Sequence, residues 1–362
     1  MKLGDLSITY IEVMADTLLA AGHSPKPLLE QYGIVDETLA TPDARISIPR
    51  FMRMGFDAIQ RTGQPEFGLL MGQHTWPAHL GLAGLLAAVS KDMRSACQAI
   101  AGFELLSSYN SRGASQFGKA SDLSAEDREG RAPSPANPHP TDPALRFYSI
   151  SPYNDYNLFV VDSVLAGWTH VLEVISGRPH QEWLQRIDIE FPAPRYQERY
   201  ARTFQVPVNF NVGHNQLVFQ RDAMDLPVLQ HSASMHARLH HQATSELERV
   251  RLGLSVAEKV ARAIGPLLNG QTPELADVAT RLNTAPWTLR RRLQSEGLTY
   301  KDVLNNTRRS LAESYVRDTD LTLGEIAYLL GFGSAAAFQR AFKRWTGEPP
   351  GRYRELRRSG GK

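Results

Sequence analysis

The chain has 362 residues, of which 42% are hydrophobic and 22% are charged, and its formal net charge is +2. That length is sufficient for two or three globular domains with cores of their own, and the composition is typical of globular proteins. The single cysteine, Cys97, excludes an internal disulfide and a multi-cysteine zinc site. No signal peptide and no run of eighteen apolar residues is visible, so the sequence predicts a cytoplasmic protein with no membrane span.

The charge is unevenly distributed along the chain. From Arg251 to Lys362 there are 19 Lys and Arg against 11 Asp and Glu, whereas the remainder has 21 against 27. A basic segment supplies the phosphate affinity that nucleic-acid binding requires, and an acidic one does not. The C-terminal part is therefore the one predicted to bind nucleic acid.

The chain begins with a series of short predicted helices. Residues 8–21 carry apolar side chains at helical spacing and end at Gly22, and proline and glycine punctuate the segments that follow. The stretch from His79 to Ser90 is almost continuously apolar and rich in small residues, so its period does not decide between a buried strand and a buried helix. The helix predicted next contains Cys97 and is expected to cover this stretch.

The composition changes between residues 118 and 143. This segment contains five prolines, one leucine and no aromatic residue. Such a sequence cannot bury enough apolar surface to offset the entropy of ordering it, so we predict a disordered surface insertion. A partner-binding motif is the alternative interpretation.

Regular structure is predicted again from Ala144 onward. Aromatic, partly alternating residues are followed by a long apolar helix that ends at Gly177, and IDIEFP alternates as a strand does. A helix in RYQERYARTFQ precedes VPVNFN and NQLVFQR, two strands on either side of a turn at residues 213–215. Together these elements predict an α+β N-terminal domain over residues 1–227.

Residues 228–251 are predicted to form a linker helix between two domains. The segment contains four histidines, and the pair His236 and His240, at i and i+4, has a spacing that can bind a metal ion. No carboxylate or cysteine lies at a suitable spacing to complete the site. We therefore predict a solvated helix face, no metal site and no cofactor.

Two similar helical units follow, joined by a long helix. In the first, Asn283 to Ala285 makes a turn between two short helices, with Thr272 as the predicted N-cap of the earlier one and Gly297 ending the later one. In the second, Thr322 and Glu325 form a capping box, Gly331 makes the turn and Gly347 ends the helix.

The later helix of each unit has an apolar side and a basic side, as a helix in the major groove of DNA requires. A rigid connector would hold the two helices at a fixed separation, and successive major grooves on one face of DNA lie about 34 Å apart.

The segments GFGSAAAFQRAFKRWTGEPPGRYR and ELADVATRLNTAPWTLRRRLQSEG together resemble the paired helix-turn-helix domain of AraC-type transcription regulators. The resemblance covers residues 252–357, which leaves 358–362 as a tail, and the turn and aromatic positions fall in register in both units. More weakly, PAPRYQERYARTFQVPVNFNVGHNQLVF resembles the ligand-binding half found in one branch of that family. The resemblance implies an all-α DNA-binding domain after an α+β sensing or dimerising domain. Its implied partners are double-stranded DNA and a small-molecule effector, whose pocket the sequence does not locate.

The resemblance also implies which side chains contact DNA. Trp287, Arg290 and Arg291 match positions that read bases from the first unit, and Arg340 matches the corresponding arginine of the second. Arginine can bond the O6 and N7 atoms of guanine bidentately. The remaining predicted contacts, several of them with phosphates, are Arg292, Ser334, Gln339, Lys343 and Arg344.

No pattern typical of an enzyme is present, neither a nucleophile elbow, a phosphate-binding loop, a zinc-protease motif nor a dinucleotide fingerprint. The chain is therefore predicted to be a regulator and not an enzyme. The alternative is a DNA-repair methyl acceptor that uses Cys97, or an architectural protein, with the same DNA-binding domain. The effector, the operator, the sign of regulation, a homodimer and contact with RNA polymerase are left open.

Overall fold

The structure, a computed structural model, describes residues 5–41, 44–109, 113–123, 141–151, 153–253, 255–268 and 270–359. Within these ranges an α+β part is followed by an all-helical part, as the sequence predicts. The strands of the first part are β1 Asp5–Ser7, β2 Arg45–Ser47, β3 Ser108–Tyr109, β4 Gln116–Lys119, β5 Pro143–Phe147, β6 Leu184–Asp188, β7 Val208–Asn209 and β8 Asn215–Phe219. Its helices are α1 Thr9–Ala20, α2 Lys26–Gln31, α3 Asp36–Leu39, α4 Ile48–Thr62, α5 Phe67–Gln73, α6 Gly81–Ala88, α7 Met93–Phe103, α8 Leu158–Ser176, α9 Gln197–Phe204 and α10 Ala233–Gly253.

The helices of the second part include two pairs of short helices on either side of a long one. They are α11 Val256–Ile264, α12 Leu275–Arg281, α13 Pro286–Ser295, α14 Tyr300–Asp318, α15 Leu323–Leu329, α16 Ala335–Thr346 and α17 Pro350–Ser359. The connector α14 is one continuous helix, as predicted. At a rise of 1.5 Å per residue its 19 residues span about 28 Å.

The strands form two sheets. A small antiparallel sheet has the order β2-β1-β3, and a five-stranded sheet has the order β4-β5-β8-β6-β7. The two strands predicted around residues 213–215 exist but do not pair with each other, since β6 lies between them and pairs with β7 in parallel. Every residue of β8 is buried, and the strand pairs with β5 on one side and β6 on the other, whereas β7 lies at the sheet edge.

Helix α8 is the centre of the N-terminal core. It packs closely on α5: the two helices approach so closely that a Cβ atom added at Gly72 would lie only 2.2 Å from the Cβ of Ala166. By length and composition α8 could cross a membrane, although no membrane span was predicted, but 61% of its most apolar 18-residue stretch is buried inside the fold. Such burial is typical of the core helix of a globular domain.

The ambiguous stretch from His79 to Ser90 is helical. Most of it forms α6, where Gly84 lies so close to the carbonyl of Pro77 that a Cβ would approach the oxygen to 1.9 Å. Cys97 on the next helix is fully buried in the same core. Burial raises the pKa of the Cys97 thiol well above its ordinary value, which disfavours the thiolate that a methyl acceptor needs.

The flanks of the predicted insertion belong to the fold. Strand β4 pairs with β5, and Ala120 and Leu123 pack against Ala144 and Val218. The guanidinium of Arg146 also donates to the carbonyls of Leu123 and Ala120, at 2.6 and 3.1 Å. The disorder predicted at both ends of 118–143 is therefore wrong, since cross-strand pairing orders them despite their composition; residues 124–140 lie outside the described ranges.

The linker helix begins later than predicted, at Ala233. The residues before it belong to the N-terminal domain, because Val228 is buried there and the amide of Leu229 donates to the carbonyl of Ile175. The centroids of two rings on the helix, those of His236 and His240, lie 5.9 Å apart.

At the C-terminal end of the chain the structure shows α17, a helix that was not predicted from the sequence. It begins at Pro350, because proline is favourable at the first turn of a helix.

Candidate nucleic-acid interface

The first helix-turn-helix unit consists of α12 and α13. Asn283 has a φ of 47° in the turn between them, and Leu289 and Leu293 anchor α13 in the core. The opposite side of α13 is exposed, including Trp287 at 66%. The unit therefore presents one complete helical face to solvent.

The predicted N-cap of α12 is wrong. The cap is Glu274, which forms a capping box with Asp277, and Thr272 makes contacts with the other unit instead. The Thr272 hydroxyl donates to the carbonyl of Gly331 at 3.3 Å and accepts from Arg308 at 2.9 Å. Threonine therefore serves here to join the two units and not to start a helix.

The second unit consists of α15 and α16. The capping box at its start is present, since the amide of Glu325 donates to the Thr322 hydroxyl and the Glu325 carboxylate accepts from the Thr322 amide. Gly331 has a φ of 67° in the turn, Ser334 caps α16 by accepting from the Ala337 amide at 3.2 Å, and Gly347 ends the helix with a φ of 83°. These local predictions are confirmed.

Arg308, which was not among the predicted site residues, holds the two units together. It lies on α14 with only 7% of its surface exposed, and it donates to the carbonyls of Leu330 and Gly331 at 2.8 and 2.6 Å. Its guanidinium also lies 4.6 Å from the ring centroid of Phe332. Burial lowers the pKa of Arg308. The sequence signal that could have identified Arg308 is its position on the helix. It lies four residues after Leu304 and three before Leu311, both buried, so helical spacing places this charged residue on the buried side of α14.

The predicted DNA-contacting side chains lie on two exposed faces. On α13 the guanidinium of Arg291 lies 5.6 Å from the ring centroid of Trp287, within the range of a cation–π interaction. In the parts of the chain that the structure describes, no carboxylate forms an ion pair with any of the six basic residues of the two faces, which are Arg290, Arg291, Arg292, Arg340, Lys343 and Arg344. The exposed set comprises Trp287, Arg290, Arg291, Arg292, Ser334, Gln339, Arg340, Lys343 and Arg344.

The two faces differ in chemistry. On α13, Trp287, Arg290 and Arg291 lie at i, i+3 and i+4 and so share one face, whereas α16 begins with Ala335 and Ala336, which have no polar side-chain atom. Its anchor side consists of Phe338, Ala341 and Phe342, all buried. Direct hydrogen bonding to base edges is therefore available to more side chains on α13 than at the start of α16.

Comparisons with known proteins agree with this architecture. The arabinose-binding N-terminal domain of AraC transcription regulators matches residues 22–228, and a helix-turn-helix domain matches residues 278–356. The chain is 28% identical over 352 residues to the ornithine utilization regulator of Pseudomonas aeruginosa, covering 96% of each chain. It is 26% identical over 359 residues to the transcriptional regulator VirS of Mycobacterium tuberculosis, covering 98% of each.

Among solved structures, the transcriptional regulator CdpR of Pseudomonas aeruginosa is similar to this chain at 20% identity and a TM-score of 0.40, over 91% of this chain and 96% of that one. The match to the AraC N-terminal domain covers more than half of the chain, and it is followed by the helix-turn-helix match where the two exposed faces lie. The chain therefore belongs to the AraC family of DNA-binding transcription regulators.

Proposed function

We propose that this regulator recognises a specific DNA sequence, that its N-terminal domain over residues 1–227 controls it in response to a small-molecule effector, and that it acts in the cytoplasm. The observation that carries sequence specificity is the exposed set of Arg290, Arg291 and Trp287 on α13. Arginine is the side chain best suited to read guanine from the major groove. The arabinose-binding type of the N-terminal domain supports control by an effector.

The exposed residues of the two units are proposed to divide between reading bases and holding phosphates. Arg290, Arg291 and Arg340 contact bases, whereas Lys343, Arg344 and Arg292 contact phosphates. Ser334 and Gln339 are further DNA contacts of the second unit. Phosphate contacts fix register without carrying sequence information.

Selection of binding sites from random DNA tests the proposal. Because Ala335 and Ala336 can offer at most a methyl contact, we expect sequence preference to be concentrated in the half-site under α13. The second half-site should show one preferred position, read by Arg340. Equal preference in both half-sites, or a stronger one under α16, would contradict this division, and recovery of no common sequence would contradict specificity itself.

Single substitutions separate the two kinds of contact. Arg290→Ala should lose about 1–3 kcal/mol of discrimination at one identifiable base pair, because a bidentate contact is removed. Lys343→Ala is the matched control, since it also removes one exposed cation and should weaken binding to all sequences by the same factor. Affinities for the selected site and for single-base variants of it, measured at one salt concentration, distinguish the results. A uniform loss for Arg290→Ala would place that residue on a phosphate.

A further inference from the structure

A cavity of ≈ 360 Å³ lies between the two domains. One wall comes from α4 and the segment before and within α8, including Met52, Ile150 and Val160, and the other comes from α14 and the residues after it, including Leu311 and Leu321. Binding sites for small molecules have volumes of roughly 300–1,000 Å³, are mainly apolar, and are often found between domains. The cavity has all three properties.

A group of polar contacts joins the two walls. The guanidinium of Arg53 bonds the carboxylate of Asp320 at 2.5 Å, the Tyr156 hydroxyl donates to the same carboxylate, and the Ser47 hydroxyl donates to Asp318 at 3.3 Å. Burial alone would lower the pKa of Arg53, but the carboxylates of Asp320 and Asp57 outweigh it and raise the pKa. These contacts attach the N-terminal domain to the end of α14.

The attached segment leads directly into the second helix-turn-helix unit. Asp318 is the last residue of α14, and Asp320 lies two residues before Thr322, the cap of α15. The cavity itself is lined by Leu311 on α14 and by Leu329 at the end of α15. A change in the separation of the walls would therefore act on the elements that position α16.

The lining also indicates the charge of the molecule that fits. Among the described residues that line it, the one cation is Arg317, which makes two bonds to the carboxylate of Asp318, at 2.8 and 2.7 Å. Its two carboxylates also have partners: Glu313 accepts from Arg309 at 2.8 Å, and Asp5 is engaged in an interaction of its own. An anionic ligand would thus have to break an existing ion pair to gain a partner. Polar side chains that carry no net charge, such as Asn154 and Ser314, also line the cavity.

We propose that this cavity binds an uncharged, mainly apolar small molecule with one or two hydrogen-bonding groups, and that its occupancy alters DNA binding. The claim that occupancy alters DNA binding, the regulatory half of this inference, rests on the proposed function. The claim that the cavity binds such a molecule, the binding half, does not. A ligand in contact with both walls binds one arrangement of the domains better than others, and this difference in affinity is what couples it to DNA.

Fluorescence titration of the full-length chain with prodan, an uncharged naphthyl ketone whose emission shifts to the blue in apolar surroundings, tests the binding half without DNA. We expect saturable binding that is lost in Met52→Trp and in Ser314→Trp, each of which fills the cavity from a different domain. Ser234→Trp, at an exposed position on α10, is the matched control and should leave binding unchanged. Circular dichroism melting of each variant confirms that it is folded.

Three results would overturn the assignment: no saturable binding, binding that survives both cavity substitutions, or binding lost only in Met52→Trp, which would place the site within the N-terminal domain. For the regulatory half, saturating prodan should change the affinity for the selected DNA site by about fivefold or more, a coupling typical of allosteric proteins. If the prodan-bound chain has the same affinity for DNA as the free chain, control through this cavity is refuted. If the free chain does not bind DNA, the proposed function is refuted instead.

Discussion

Gly331→Ala should destabilise the second helix-turn-helix unit by about 2 kcal/mol or more. The φ of 67° at this residue is the left-handed conformation, which costs other residues about 1–3 kcal/mol. In addition, a Cβ atom would lie 2.1 Å from the carbonyl oxygen of Gln271, so the two units would have to move apart. The backbone oxygen cannot rotate away as the end of a flexible side chain can.

Gly333→Ala is the control, since it lies in the same turn and a Cβ atom there would meet nothing within 4 Å. Amide hydrogen exchange of peptides from α15 and α16 measures the local opening free energy in the full chain. Faster exchange is expected for Gly331→Ala only, together with weaker DNA binding. Equal exchange in the two variants would show that the turn tolerates a side chain at Gly331.

Arg308→Met should uncouple the two units, because it removes the guanidinium while replacing the apolar stem of the side chain. The substitution removes the donors to the carbonyls of Leu330 and Gly331. The Gly331 carbonyl keeps the Thr272 hydroxyl as a donor, but the Leu330 carbonyl loses the donor that Arg308 supplies, and a buried group left without a partner costs about 1–3 kcal/mol. Because the lost contacts join α14 to the turn before α16, the relative orientation of α13 and α16 should also become less well defined.

Arg309→Met is the matched control. Arg309 is the next residue on α14 and forms an exposed ion pair with Glu313, and such a pair stabilises the fold by about 1 kcal/mol or less. Thermal melting measures the loss of stability. Binding-site selection with each variant measures the geometric effect, which for Arg308→Met should be tolerance of altered spacing between the half-sites. Similar melting and the same strict spacing in both variants would show that Arg308 does not set the orientation.

The DNA-binding domain was largely predictable because its signals are local. The capping box of Thr322 and Glu325, the glycine turn at Gly331 and the apolar spacing of Phe338 and Phe342 each involve residues within a few positions of one another. Hydrogen bonds within a helix join residues four apart, so such patterns determine helices with little influence from the rest of the fold. The exposure of Arg290 and its neighbours follows from the same periodicity, although their contacts with DNA remain predictions.

Strand pairing was less accessible to the sequence. The segments of β7 and β8 were recognised, but only the folded sheet places β6 between them. The composition around residues 118–143 likewise predicted disorder where β4 pairs with β5. A strand is stabilised by its neighbours, whose identity depends on the path of the whole chain, so its own composition determines little.

The sequence by itself determined the two-domain order, the two helix-turn-helix units and their basic faces, because periodicity, caps and charge act over short stretches of chain. Only the tertiary structure decided that Thr272 and Arg308 join the two units, that β6 separates β7 from β8, and that a cavity lies between the domains. The physical reason is the distance along the chain: Arg53 and Asp320, whose contact joins the N-terminal domain to the segment after α14, are 267 residues apart. No local preference specifies such a contact, and it arises when the burial of two separate cores brings their surfaces together.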